Sequence, residues 1–397
     1  MRTAILIHDS WLSAKNGANT VMNSLLDSRQ VFRENGIELH RCTLDDLIPR
    51  SFEAGSDDAN SSKYSMRRKL RGIFTYLSKY NVLFTCLLYH LTTFKSSKRV
   101  IQHYLASNPG ADEVAFFHTI IPCYFFLKLR KHHQPTVMVL HTNGEPYKMD
   151  CIYYPKLYGS FFYKKLIKMY NYTIENVDRI NFVAEEPMKN FLRLNPQIEP
   201  AKVSFIYNGV PDGPCKRSDR LGTPIEICCV GSISDRKGQP FIVEALSRLS
   251  GEERARIHFT LLGDGDKRLE LERICAERNL NSSITFAGVK SNVDEYLQNS
   301  DIFILPSTDE GLPMAIIEGM RAGLPIISTP VGGIPEMLKD GYNGVMMQPN
   351  ADALFDILKN IESYDWLSMG RNARTLFEEK FSGQKMAESY AKLLWFE

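Results

Sequence analysis

The chain has 397 residues, 44% of them hydrophobic and 24% charged, with 25 Gly and 19 Pro scattered as punctuation between apolar runs. That is enough for two domains with a core each, and it excludes a disordered chain, a collagen-like fibre and a coiled coil. The formal charge of +2 conceals opposite halves: residues 1–215 carry 27 Lys and Arg against 19 Asp and Glu, whereas residues 216–397 carry 21 against 27.

The first apolar run, Ala4–Ile7, is too short for a signal-peptide core and reads as a strand. Further strands are predicted at Ile37–Cys42, Val114–His118, Thr136–His141, Arg179–Val183 and Val203–Ile206. In the second half they fall at Ile225–Val230, Ile257–Leu262, Ile284–Phe286, Asp301–Leu305, Pro325–Ser328 and Val345–Met347. Helical spacing marks Phe241–Leu249, Leu269–Arg278, Pro313–Arg321, Ala351–Ile361 and Lys385–Trp395. This alternation predicts an α/β protein with parallel sheets, and the turn-forming stretch from Gly209 to Pro224 predicts a hinge. Two such sheets facing a crevice would bind a ligand at the carboxyl ends of their strands. The eight cysteines lack C-x-x-C or Cys/His spacing, which points to a reducing compartment. The longest uncharged apolar stretch, Tyr80–Phe94, falls short of a membrane span.

No acid occurs between Asp58 and Asp112, a segment that mixes Arg67, Arg68, Lys69, Arg71, Lys95, Lys98 and Arg99 with aromatic and aliphatic residues. Cys151 to Tyr170 repeats the mixture with Lys156, Lys164, Lys165 and Lys168. Such segments suit an anionic membrane surface, with Arg67, Arg68, Lys69, Arg71, Lys164 and Lys165 facing it. A helical face whose aromatics are core and whose lysines are solvated explains them equally well. Nucleic-acid binding is disfavoured, since no helix-turn-helix, RNP or zinc pattern accompanies the charge.

The most informative stretch is Asp301–Leu338. A buried strand ends at Leu305, and a loop with Glu310 leads to a helix that Pro313 is expected to open, whose free amides suit a diphosphate. Glu318 lies about 7.5 Å further along the axis, within reach of a ribose beyond that phosphate. Read from spacing alone, solvated surface acids are the simpler account of both glutamates.

The stretch resembles the E-x7-E signature of retaining glycosyltransferases of family 4, which have the GT-B fold. In the family's order the chain also carries Tyr207–Val210, Val230–Gly238, Leu261–Gly265, Phe286–Val289, Thr329–Glu336 and Asp340–Gly344. The resemblance implies an acceptor domain over residues 1–210, a donor domain over 211–384 and a terminal helix over 385–397 packing back on the first. It implies that Lys237 contacts the donor diphosphate, that Glu318 binds the ribose and that Glu310 lies beside the transferred sugar. Backbone at Gly311, Leu312 and Met314 would line sugar and diphosphate, and backbone at Gly288, Val289 and Lys290 would meet the base. Gly17 would approach phosphate, and His141 would position the sugar. Glu310, His141 and Lys237 would form the catalytic group. Ser232 stands where the family commonly has arginine, and Arg236 offers a second cation.

The implied activity is metal-independent hexosyl transfer with retention, from a nucleotide-diphosphate sugar, UDP rather than GDP, to a hydroxyl of a glycan. No cofactor is expected. A lipid-linked acceptor in surface polysaccharide synthesis, on the inner face of the cytoplasmic membrane, is the expected setting. A soluble acceptor and a non-catalytic sugar-nucleotide binder are the rivals. Asp264-Gly265-Asp266 reads as a turn rather than a metal site, Gly263-x-Gly265 lacks the third glycine of a dinucleotide fingerprint, and the remaining histidines lack ligand spacing.

Overall fold

The computed structural model describes residues 1–12, 17–47, 76–78, 80–145, 147, 150–151, 154–215 and 220–396. Two compact units divide the chain. The first comprises Met1–Phe182, Met188–Ile206 and Ala387 onward; the second comprises Val183–Pro187 and Tyr207–Met386. Part of the expected hinge, residues 216–219, lies outside the described residues, as do Arg67, Arg68, Lys69 and Arg71.

The first unit is built on a six-stranded parallel sheet: β1 (Arg2–His8), β2 (Ile37–Thr43), β3 (Val114–Phe117), β4 (Thr136–Leu140), β5 (Arg179–Phe182) and β6 (Val203–Phe205). Its spatial order is β2-β1-β3-β4-β5-β6. The second unit repeats the plan with β7 (Ile225–Val230), β8 (Ile257–Leu262), β9 (Ile284–Gly288), β10 (Ile302–Leu305), β11 (Ile326–Ser328) and β12 (Gly344–Met346). There the order is β12-β11-β10-β7-β8-β9. All twelve predicted strands are present, with ends shifted by a residue or two. Central strands such as β3, β4 and β10 are buried along their whole length, as parallel strands covered on both faces must be, and this is why they read as unbroken apolar runs.

In each sheet the chain reverses its direction of travel once, between β1 and β3 in the first and between β7 and β10 in the second. At such a switch point the loops leaving two neighbouring strands part to opposite faces, and a crevice opens at the strands' carboxyl ends. Residues just after β1, β3, β7 and β10 are therefore the ones the fold presents for binding.

The helices differ from expectation at their ends. Pro313 has extended backbone (φ −72°, ψ 119°) and caps the helix Met314–Arg321 rather than opening it. The run Tyr80–Phe94 becomes the helix Val82–Tyr89, capped by the Asn81 side chain, and continues through a π-helical turn, His90–Phe94, into Lys95–Ala106. Among the described residues no helix is long and apolar enough to cross a membrane. All eight cysteines are free.

The last helix, Gly383–Leu393, leaves the second unit and ends in the first. Tyr390 is fully buried, its ring 5.6 Å from that of Phe116, and its hydroxyl accepts from Asn181 Nδ2 at 3.2 Å. Arg179 donates to the carbonyls of Leu393 (2.5 Å) and Trp395 (2.9 Å), tying down the chain end. Tyr390→Ala is expected to cost about 3–5 kcal/mol in urea unfolding through the cavity it leaves. Tyr390→Phe keeps the packing, and Asn181 keeps its bond to the Phe182 carbonyl, so about 1 kcal/mol is expected.

Candidate functional site

At the switch point of the second unit, the turn after β7 runs through Gly231 and Ser232 into a short 3-10 helix, Asp235–Lys237. The Ser234 hydroxyl accepts from the Lys237 amide and starts this turn. Gly238, at φ 75°, ends it, and a Cβ there would lie 1.9 Å from the Pro306 carbonyl oxygen, so only glycine lets the turn pack against the end of β10. Lys237 is thereby aimed at the loop after β10. Its ammonium donates to Glu310 Oε1 at 2.6 Å; Glu310 is buried, 8% exposed, and Lys237 is largely covered at 13%.

Glu310 also accepts from the Ser307 hydroxyl at 2.8 Å, and Arg236 Nη1 lies 3.5 Å from its other oxygen while donating to the Asp309 carbonyl at 2.8 Å. Two cations thus converge on one buried carboxylate, leaving one positive charge uncompensated within the cluster. The loop is fixed from behind by the segment that follows β11: the Thr329 hydroxyl donates to the Ser307 carbonyl, and Gly333 N–H to the Gly311 carbonyl at 2.7 Å. Gly332, at φ 55°, permits this approach, since a Cβ there would meet the Glu310 carbonyl oxygen at 1.8 Å.

Glu318 stands on the following helix and is partly buried. Burial pushes its carboxyl up to about 7; Arg321 opposes the rise and Asp294 adds to it. Arg321 itself is engaged by Asp294. The strip Gly288-Val289-Lys290 lies at the end of β9, where Gly288 has φ 74° and Val289 is 61% exposed. Asp264 forms a turn, its side chain accepting from Gly265 N–H.

In the first unit, three histidines gather at the carboxyl ends of β1, β3 and β4. His118 Nδ1 and His141 Nε2 are 2.9 Å apart, and their rings stack at 5.2 Å. Burial pushes His141 down to about 4, with help from His8, and pushes His118 and His8 below their ordinary value as well. Near neutral pH all three are uncharged hydrogen-bonding groups. Beside them Asp9 accepts from the Ser97 hydroxyl (2.5 Å) and the Thr119 hydroxyl (3.0 Å). Asp150, pushed up to about 7 by burial and by the charge of Asp9, adds a second acid to this group.

Of the residues singled out in the sequence, the structure brings Arg236, Lys237 and Glu310 together, and sets Gly311, Leu312 and Met314 between Glu310 and Glu318. Ser232 is exposed, with its carbonyl accepting from Gln239 Nε2. Gly17 is exposed at the start of the helix Gly17–Asp27. Lys164 and Lys165 are exposed and belong to neither group. Ser307, Thr329, His8 and His118 are the contributors that sequence reasoning left out or ranked lower; their common mark is a position at or just beyond a strand's carboxyl end.

Two family models match the chain, Glycosyltransferase Family 4 over residues 29–213 and Glycosyl transferases group 1 over residues 216–375. An uncharacterized glycosyltransferase of Methanocaldococcus jannaschii is 26% identical over 319 residues, 78% of this chain and 81% of that protein. An amylovoran biosynthesis glycosyltransferase of Erwinia amylovora is 32% identical over 146 residues, 35% of each chain. The fold is similar to that of Anabaena HepE, solved with UDP-glucose, with a TM-score of 0.68 and 15% identity over 99% of both chains. The architecture is accordingly GT-B.

The raised carboxyl of Glu318 has a consequence for stability. Its folded pKa, about 7 against an ordinary 4.5, means that the native state holds the proton more tightly, so stability is lost as pH rises through that window. Glu318→Gln is expected to be more stable than wild type by on the order of 1–3 kcal/mol at about pH 8, and the gap should shrink towards about pH 5 in thermal unfolding.

Proposed function

Because the chain belongs to glycosyltransferase family 4, we propose that it transfers a hexose, with retained anomeric configuration and without a metal ion, from a UDP-sugar to a hydroxyl of a lipid-linked glycan. The observation that carries this reading is the buried Glu310 carboxylate with two cations, Lys237 and Arg236, set at the switch point just before the helix that bears Glu318. HepE binds UDP-glucose on the same fold, and the Erwinia relative is a glycosyltransferase of amylovoran biosynthesis. Those facts support a UDP-sugar donor and a glycan product.

Breaking the sugar–phosphate bond places negative charge on the departing diphosphate and oxocarbenium character on the sugar. Lys237 and Arg236, with the backbone amides of Gly311, Leu312 and Met314, would stabilise the first charge. Arg236 would take the place of the arginine that Ser232 replaces. Glu310 would face the sugar, offsetting the second charge, and Glu318 would accept from the ribose hydroxyls. Gly288, Val289 and Lys290 would meet the base. In the first unit, neutral His141 would position the sugar by hydrogen bonding, and Gly17 would approach phosphate. Retention follows when the acceptor hydroxyl attacks the face the diphosphate leaves, with a phosphate oxygen taking its proton, so no protein nucleophile is required.

A thermal-shift series with UDP-, GDP-, ADP- and dTDP-glucose tests the donor assignment. A ligand at a hundred times its dissociation constant stabilises the native state by about 2.7 kcal/mol. A shift with the UDP-sugar that Glu318→Ala abolishes is the expected result, and a shift with another nucleotide class alone contradicts it. The charge of Glu318 should also strengthen its bonds to ribose, so UDP affinity is expected to rise with pH through about 7 and to lose that rise in Glu318→Gln.

A further inference from the structure

The helix Val82–Tyr89 reads VLFTCLLY, with no charged residue and hydroxyls only at Thr85 and Tyr89. A helix apolar on all sides is ordinarily buried on all sides. This one is not. Thr85, Cys86, Leu88 and Tyr89 face the core of the first unit, but Leu83 is 65% exposed and Leu87 44%, and Leu91 in the π-helical turn is 50% exposed. Spaced four apart, these leucines form one outward stripe.

Two neighbouring segments lie beside this helix. The turn Pro155–Leu157 packs on the same helix, and Tyr89 and Phe94 contact the Phe162 ring at 5.9 and 5.5 Å, which brings the helix Phe161–Asn176 alongside. From these segments Tyr158 (72% exposed) and Phe161 (69%) project into solvent. Beyond Leu91 the same long helix presents Lys95, Lys98 and Arg99, all exposed, and the start of the second helix presents Lys164, Lys165 and Lys168. Neither the stretch from Tyr76 to Ala111 nor that from Cys151 to Ile174 contains a single Asp or Glu.

We propose that this stripe, Leu83, Leu87 and Leu91 with Tyr158 and Phe161, inserts into the headgroup layer of an anionic bilayer while the flanking lysines bind its phosphates. Exposed leucines and aromatics on two stretches of chain that carry lysines and arginines but no acid match the two parts of a lipid surface, an apolar interior and a negative rim. A protein partner would be met by polar groups of both signs around the apolar centre. The inference rests on the lipid-linked acceptor of the reading above, and it assigns the docking to apolar insertion on this helix rather than to the basic residues of segment 67–71.

Flotation with phosphatidylglycerol–phosphatidylcholine vesicles tests it, using wild type, the triple variant Leu83→Gln/Leu87→Gln/Leu91→Gln, and Leu87→Trp. Wild type should float with the vesicles and keep a large part of its binding at about 0.5 M salt, where charge interactions are screened within a few ångström. The triple variant should lose at least about tenfold in partition, since each exposed apolar side chain withdrawn from water contributes to binding. Leu87→Trp should bind more tightly and show a vesicle-induced blue shift absent in wild type. UDP-induced thermal stabilisation, which reads the second unit, should be unchanged in both variants; its absence in wild type would overturn the donor assignment and leave the docking assignment intact. Wild type that does not float, a triple variant that floats as well as wild type, or a wild-type dimer that the triple variant converts to monomer would overturn the proposal, the last by showing that the stripe joins two copies of the chain.

Discussion

The arrangement of the candidate site depends on one interaction, the buried ion pair between Lys237 and Glu310. A carboxylate taken this far out of water is tolerated only when paired and hydrogen-bonded, and here the ammonium, the Ser307 hydroxyl and the nearby Arg236 together meet that requirement. The pairing imposes demands on the backbone around it. The turn after β7 must touch the end of β10, which Gly238 allows, and the loop after β11 must touch the backbone of Glu310, which Gly332 allows. Both demands arise from the sheet order, because β7 and β10 are neighbours in space with two strands between them in the chain.

The same pair also sets the chemistry that the site is prepared for. A lysine held by a single carboxylate would be neutralised, whereas a lysine and an arginine sharing one carboxylate retain a positive charge aimed at the strand ends. An incoming anion therefore meets a fixed cationic group without reorganising it, the condition under which charge stabilisation acts most strongly in a transition state. The first unit supplies no comparable cation among its three strand-end histidines. Desolvation keeps them neutral, and they offer directional hydrogen bonds instead.

Much of this was legible in the sequence, and the reasons for the rest are physical. Central strands such as β3, β4 and β10 are unbroken apolar runs that could be read directly, partly exposed ones such as β2 and β9 were legible as short β-rich runs between helical stretches, and glycines and glutamates at fixed offsets exposed the family resemblance. Spacing alone favoured solvated surfaces for Glu310 and Glu318. Glu310 is instead buried because Lys237 and Ser307 reach it, and the Lys237 contact, between residues 73 apart, leaves no periodicity to detect. The meeting of His118 with His141 was hidden for the same reason, as each merely ends a strand. For Tyr80–Phe94 the sequence left a core face and a membrane-facing surface equally open. The exposure of Leu83, Leu87 and Leu91 became visible only once the helix had a core face and a free face.

The most direct test of the account is calorimetric titration of UDP and of uridine into the wild-type chain and into Lys237→Met. If the Lys237–Glu310 constellation is the diphosphate site, UDP binds far more tightly than uridine to wild type, and Lys237→Met removes most of that advantage while leaving uridine binding unchanged. An advantage of UDP over uridine that survives in Lys237→Met would contradict it.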